Sequence, residues 1–185
     1  AAVRIRSWEH LAAQCTDLAD MDFSLLYNST RDLFAAGYNV SDRRLDVSFY
    51  DLLASEARLA SFIVIAQGSF SKTHWFALGR LLTSEGHLPA LLSWSGSMFE
   101  YLMPLLVMPN YENALLDRTY HAIVRRQIEY GRQLGIPWGI SESGYSKIDQ
   151  HQTYQYRAFG VPGLGLKRGL AEDLVIAPYA SALAL

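Results

Sequence analysis

A single cysteine, Cys15, stands in the 185 residues, so the chain cannot form an internal disulfide and nothing in it implies an oxidising compartment. Basic clusters are nearly absent. The formal net charge is -2, and the one local pair, Lys167-Arg168, is short enough to be a solvated turn, which argues against nucleic acid as a partner. Long apolar runs are missing too. The longest, Tyr101 to Pro109, falls far short of a membrane span and contains Pro104, and the opening AAVRIRSWEHLAAQC has no apolar signal-peptide core. The chain itself is expected to be soluble, even within a membrane-anchored parent. The five histidines, His10, His74, His87, His121 and His151, lack metal-ligand spacing, so no metal is expected. The glycine-rich stretch from Gly163 to Gly169 matches neither phosphate-binding motif, and no cofactor is expected. Two sequons, at Asn28 and Asn39, carry little meaning without a secretion signal.

What remains is apolar and aromatic. Hydrophobic residues make up 50% and charged ones 18%, too apolar for a disordered segment and long enough for one domain over 1–185 or a fragment of one. Apolar spacing predicts a helix over 5–19 with Cys15 buried in it. Segments 33–40 and 45–49 read as a hairpin split by Ser41 to Arg44. Residues 50–67 read as a long helix closed by Gly68, apolar nearly all round and therefore buried. A short helix over 71–78 with Ser71 as its cap precedes a second hairpin turning at Ser84 to His87. Further helices are expected over 97–107, over 113–134 closed by Gly135, and from Pro178, with 136–156 as loop. The abrupt ends suggest a fragment. These elements make a mainly α architecture with β-hairpins at one end of a helical core.

Two carboxylates draw chemistry from this plan. Glu56 lies within the apolar helix expected over 50–67, where an ionised group costs several kcal/mol (roughly) unless it is held. Arg58 points to nearly the opposite side of that helix and shares a face with Asp51 and Ser55. Glu56 is thus either a working acid or half of a pair with another helix. Glu142 sits between Ser141 and Ser143, near Trp138 and Tyr145, as in the lining of a sugar subsite, where aromatic faces stack on pyranose rings. A plain loop glutamate with local hydrogen bonds would look the same. In Ser93-Trp94-Ser95-Gly96-Ser97, Trp94 leads a glycine turn at a helix start. Glu100 then reads as a first-turn acid suited to the helix dipole, in preference to a third working carboxylate. Tyr154-Gln155-Tyr156-Arg157 is an aromatic cluster, wall or core.

Four blocks together resemble one family. They are Asp46-Val-Ser-Phe-Tyr-Asp-Leu-Leu-Ala-Ser-Glu56-Ala-Arg, Leu92-Ser-Trp-Ser-Gly-Ser-Met-Phe-Glu-Tyr-Leu-Met-Pro, Trp138-Gly-Ile-Ser-Glu142-Ser, and Tyr154-Gln-Tyr-Arg-Ala-Phe-Gly-Val-Pro-Gly-Leu-Gly-Leu-Lys-Arg-Gly. They are very similar to the central glycoamylase-like domain of the cyclic β-1,2-glucan synthases, large bacterial inner-membrane proteins. The resemblance implies part of an (α/α)6 barrel and a retaining transglycosylase that cuts linear β-1,2-glucan and closes it into a ring. It implies a place on the cytoplasmic face of the membrane, and the other domains of that large synthase as partners. It maps the two family carboxylates onto Glu56, as acid and base, and Glu142, as nucleophile. Asp51, Arg58, Trp94, Ser95, Trp138, Tyr145, Tyr154 and Arg157 are the expected substrate contacts. A hydrolase of the endo-β-1,2-glucanase kind, or a non-catalytic glucan-binding fragment, is the alternative. This chain carries about half the helices of such a barrel, so the fragment alone is expected to be incomplete and inactive by itself.

Overall fold

The computed structural model describes residues 2–84 and 88–185. Its first element, α1 (Ala2–Ala19), forms where apolar spacing demands a helix but buries none of its residues. Val3, Trp8 and Leu18 all face solvent, and so does Cys15, against the expectation of a buried thiol. Among the described residues the Gln67 side-chain amide ties the end of α1 to the rest, donating to the Ala19 carbonyl at 2.8 Å.

After α1 the chain folds two small ribbons. Strands β1 (Tyr27–Asn28) and β2 (Leu33–Phe34) pair antiparallel, as do β3 (Tyr38–Asn39) and β4 (Arg44–Leu45). The second ribbon is the expected hairpin, and its ladder continues past Gly37 through the Ala35–Phe49 bridge and the Tyr50 N–H bond to the Phe34 carbonyl (3.0 Å), while Leu33 and Phe34 also pair in the first ribbon. Asn28 nucleates that turn: its side-chain oxygen accepts from the N–H groups of Thr30 (3.1 Å) and Arg31 (3.0 Å).

The long helix expected over 50–67 is half that length, since α2 runs only from Arg58 to Ala66. Leu52, Leu53 and Ala54 are buried, but as a strand-like segment: Leu52 bridges Gly79 in parallel, Gly79 N–H donates to the Asp51 carbonyl (2.6 Å), and Leu53 N–H donates to the Gly79 carbonyl (3.0 Å). A short apolar run buried on all sides carries no period that separates the two states. Glu56 therefore stands in the turn before α2. Gly68, at φ 74°, closes α2 in the left-handed conformation expected of it. Next, α3 (Thr73–Ala77) begins with the Ser71 hydroxyl accepting from Thr73 N–H at 3.3 Å. It packs against α2 through a buried chain in which Ser61 Oγ lies 2.8 Å from His74 Nε2, and His74 Nδ1 lies 2.5 Å from the Asp32 carbonyl.

Strands β5 (Leu82–Thr83) and β6 (Ala90–Leu91) form the expected hairpin, and residues 85–87 of its turn lie outside the described residues. Helix α4 (Met98–Leu102) passes into a 3-10 turn, Met103–Leu106, where Pro104 withholds an N–H. Helix α5 (Leu115–Leu134) ends at Gly135, φ 67°. Its inner face buries Thr119, Ile123 and Gln127, and the Gln127 amide binds both main-chain groups of Ile140, at 2.8 and 2.9 Å. The segment expected as loop holds a fourth ribbon, β7 (Ser143–Ile148) against β8 (Tyr154–Arg157), and the chain closes with α6 (Pro178–Ala182). Among the described residues six helices and four two-stranded ribbons thus share the chain. A buried cluster including Leu91, Met98, Tyr101, Ile123, Ile140, Val161 and Leu164 joins α4, α5 and the segment 159–166.

That last segment is a seam between two backbones. Ser93 bridges Gly165, Val161 N–H donates to the Gly96 carbonyl (3.2 Å), and Lys167 N–H donates to the Trp94 carbonyl (2.8 Å). A Cβ on Gly160 would stand 1.7 Å from the Ser95 carbonyl oxygen, and one on Gly165 would stand 2.5 Å from the Ser95 carbonyl carbon. Only glycine admits this approach.

Candidate active site

The seam fixes the loop Ser93 to Ser97, and the start of α4 organises it. Ser97 caps α4, accepting from Glu100 N–H, while Glu100 reaches back to Ser97 N–H in a capping box. The Glu100 carboxylate also accepts from Ser93 Oγ (2.8 Å), Ser95 N–H (3.0 Å) and Ser95 Oγ (2.6 Å). Glu100 is 5% exposed, so it serves as a buried hub for the loop, a larger role than the dipole reading gave it.

Glu142 lies just before β7. Tyr156 on β8 sits opposite Gly144, and its hydroxyl donates to Glu142 Oε2 at 2.5 Å. Ser97 Oγ lies 3.4 Å from Glu142 Oε1, and the Tyr179 hydroxyl donates to the Glu142 carbonyl at 2.8 Å. Two hydroxyls on the carboxylate and one on the main chain hold its orientation. Burial pushes the Tyr156 phenol up from its ordinary value, and its bond to Glu142 pushes the same way.

Glu56 meets the site from the other side. Ser55 Oγ donates to Glu56 Oε2 at 3.2 Å. Burial raises the pKa of the Glu56 carboxyl above the ordinary value, and the negative charges of Glu100 and Glu142 add to the rise. Tyr50 lines the same cavity as Glu56, and burial together with the charges of Glu56 and Glu142 pushes its phenol up. A cavity of about 500 Å³, within the size range of small-ligand sites, is lined by Tyr50, Asp51, Ser55, Glu56, Trp94 and Glu100. A second, of about 200 Å³, reaches Glu56 along an apolar wall that includes Phe23, Leu26 and Phe34.

Three of the residues singled out in the sequence, Asp51, Glu56 and Trp94, thus line one space; Glu142 lies outside its lining and is joined to it through Ser97, whose hydroxyl meets both Glu142 and the cavity-lining Glu100. Trp94 is 60% exposed, as a stacking platform needs to be. Arg58 is a correction. It is 1% exposed, and its guanidinium donates to the carbonyls of Ser55 (2.8 Å), Glu100 (2.9 Å) and Tyr101 (2.5 Å) and to the Tyr120 hydroxyl (3.1 Å). It braces the start of α2 against α4 and presents nothing to a substrate. Ser95 is likewise spent on Glu100 and buried. Tyr145 turns to the core face of its ribbon, edge-on to Phe159 at 5.3 Å between ring centres, and Trp138 packs against the same core. Arg157 pairs with Asp173, and Tyr154 lies 72% exposed, opposite Ile148 toward the far end of the ribbon from Glu142. Sequence reasoning missed Tyr50 and Tyr179 and held Tyr156 only as part of an aromatic cluster, wall or core. The signal for Tyr156 was available, because two-residue alternation along β8 puts it on the face opposite Gln155, whose partner Tyr145 faces the core.

A family model named Glycoamylase, described as “Putative glucoamylase”, matches residues 48–185, so the chain belongs to the glycoamylase family. It is also similar to cyclic beta-(1,2)-glucan synthase NdvB of Rhizobium meliloti, with 53% identity over 175 residues. The alignment covers 94% of this chain and 6% of that protein, so the chain spans a small part of its relative's length. Among the described residues no helix is long and apolar enough to cross a membrane.

Proposed function

We propose that this chain is part of a β-1,2-glucan-processing enzyme that cleaves the linear glucan and transfers it onto itself, with retention, to give the cyclic product. The observation that carries the reading is the contrast between Glu56, which lines the cavity, and Glu142, which is joined to the cavity-lining Glu100 through the Ser97 hydroxyl. Glu56 is desolvated, with a raised pKa, as a proton donor requires. Glu142 is held by the hydroxyls of Tyr156 and Ser97 with one edge of its carboxylate beside Ser97, as an oriented nucleophile requires.

In this mechanism Glu142 attacks the anomeric carbon as Glu56 gives its proton to the departing glycosidic oxygen. The glucan on the leaving side departs, and a covalent glycosyl-enzyme remains. Glu56, now ionised, takes the proton from an incoming sugar hydroxyl, and that oxygen displaces Glu142. Trp94 stacks on a pyranose ring, and Asp51 and Tyr50 take hydroxyls. A water admitted in place of the sugar hydroxyl would give a hydrolase instead, and a cavity of about 500 Å³ has room for one.

The chain supplies part of the wall of an (α/α)6 barrel in this reading. The rest comes from a larger membrane-anchored synthase that works on the cytoplasmic face of the inner membrane. The reading draws on the similarity to the glucan synthase and on the family match over residues 48–185.

The test uses the longer protein that carries this chain, incubated with linear β-1,2-glucan. Its products are read by mass spectrometry, where a ring is one water lighter than its linear counterpart. Glu56→Gln and Glu142→Gln should each lower turnover by roughly 10²–10⁴-fold. Undiminished cyclisation in either variant sinks the site assignment, and linear products alone make the enzyme a hydrolase.

A further inference from the structure

The surroundings of Glu100 exceed what a helix cap needs. A capping box uses the serine at the cap and the glutamate three residues on, yet Ser93 and Ser95 also converge here. Counting N–H and O–H groups, the carboxylate meets five donors: the hydroxyls of Ser93, Ser95 and Ser97, and the N–H groups of Ser95 and Ser97. An ionised carboxylate offers about four lone-pair sites, so one donor is surplus. The Ser97 hydroxyl is the one with somewhere else to go, since its oxygen stands 3.1 Å from Glu100 Oε2 and 3.4 Å from Glu142 Oε1. Among the described residues no cation pairs with the Glu100 carboxylate, because Arg58 donates to the Glu100 main-chain carbonyl instead.

We propose that Glu100 is a positioning residue for the carboxylate pair: it latches the Ser93 to Ser97 loop, aims the Ser97 hydroxyl at Glu142, and sets a negative charge beside Glu56. The proposal rests on the reading above for the roles of Glu56 and Glu142. The groups around Glu56 come from several elements. Ser55 donates to it, Tyr50 and Glu100 line one cavity with it and Arg58 another, while the charge of Glu142 acts on it, and its own charge on Tyr156. Burial and the charges of Glu100 and Glu142 favour the protonated form of Glu56, while the Ser55 hydroxyl and a main-chain bond oppose them. Glu100 thus shapes both acids without touching a reacting atom.

Two substitutions separate charge from shape. Glu100→Gln keeps the length and removes the charge, and Glu100→Asp keeps the charge and shortens the reach. Titration of Glu56 in the 185-residue chain, followed by NMR of carboxylate-labelled glutamate and assigned with Glu56→Gln, needs no turnover. Its midpoint falls by about half a pH unit or more in Glu100→Gln and stays within about 0.2 unit in Glu100→Asp. A cap with no further role predicts the same midpoint in both variants, and that result overturns the proposal. If Glu100→Gln does not fold, Ser97 decides. In the longer protein Ser97→Ala lowers kcat about tenfold with little change in KM, and Ser97→Thr restores it. A lower melting temperature with kcat unchanged overturns the aim at Glu142. A wild-type protein inactive on β-1,2-glucan overturns the functional reading and leaves the Glu56 titration to decide this one.

Discussion

Replacing Arg58 by methionine should destabilise the chain by about 3–5 kcal/mol, although among the described residues no negative charge pairs with the arginine. The side chain is 1% exposed and donates to three main-chain carbonyls and one phenol. Hydrogen bonds to a charged donor contribute roughly 1.5–3 kcal/mol each, and a buried acceptor left alone costs roughly 1–3 kcal/mol. The four do not add, because the Ser55 carbonyl also accepts from Arg58 N–H and keeps that partner. An opposing effect has to be weighed. Burial pulls the Arg58 pKa below the ordinary guanidinium value, so the cation itself is held at a cost that methionine removes. Buried charges can be exchanged for apolar residues without loss when their partners leave with them. Here the partners are peptide carbonyls and stay, so the loss wins. At ~2–4 °C per kcal/mol for a chain of this size, the melting temperature should fall by about 6–20 °C. Guanidinium denaturation of both proteins is the assay, read at equal m-values so that the midpoint reports stability. Arg58→Lys should fall between the two, since one ammonium cannot span α2 and α4 as a planar fork does. A methionine variant within about 1 kcal/mol of the parent refutes the bracing role.

Glu56→Gln should be more stable than the parent at neutral pH. The raised pKa means that the folded state binds the proton more tightly than the unfolded chain does, so folding is favoured below the ordinary carboxylate range and loses that contribution as pH climbs through the raised value. The advantage of the amide should therefore vanish near pH 4 in a denaturation series; an advantage that does not grow with pH removes the desolvated acid. His74→Phe should destabilise by about 1–3 kcal/mol, because the buried Ser61 hydroxyl and the Asp32 carbonyl both lose their partner, and calorimetry reads this directly. The Cys15 thiol should react fully with a thiol reagent in the native 185-residue chain, where a buried thiol would wait for denaturant.

The chemistry was easier to find in the sequence than the structure that carries it. Helix α5 announced itself because its apolar stripe is long and Gly135 stops it cleanly. Glu56 was found for a reason only partly right. The burial that marked it is real, but the residue stands after a strand-like segment tied to Gly79 and beside the wall of Phe23, Leu26 and Phe34, not within a helix. Arg58 was placed among the substrate contacts with the family resemblance, and no local pattern announces that three carbonyls from two elements will converge on it. Glu100 looked like a dipole acid because its four serine-borne donors beyond the cap N–H lie within seven residues, where side-chain hydrogen bonds leave no period to detect. The ribbon of β7 and β8 was hidden by exposure, since most of its residues face solvent and the apolar alternation that marks a strand is weak.

The seam at Gly160 and Gly165 divides the freedom of the two walls of the cavity. Trp94 stands on a loop whose backbone lies flat against another backbone, with no side chain between them to shorten or swap. That wall cannot settle closer to the seam, because a methyl group added at Gly160 would meet the Ser95 carbonyl. The facing wall, Tyr50 and Asp51, belongs to a segment held by a few bonds to Gly79 and a short ribbon. Reshaping the cavity by substitution is therefore open mainly on the side of Tyr50 and Asp51. A survey of tolerated substitutions would show Gly160 as intolerant as the glutamates, though it touches none of the chemistry.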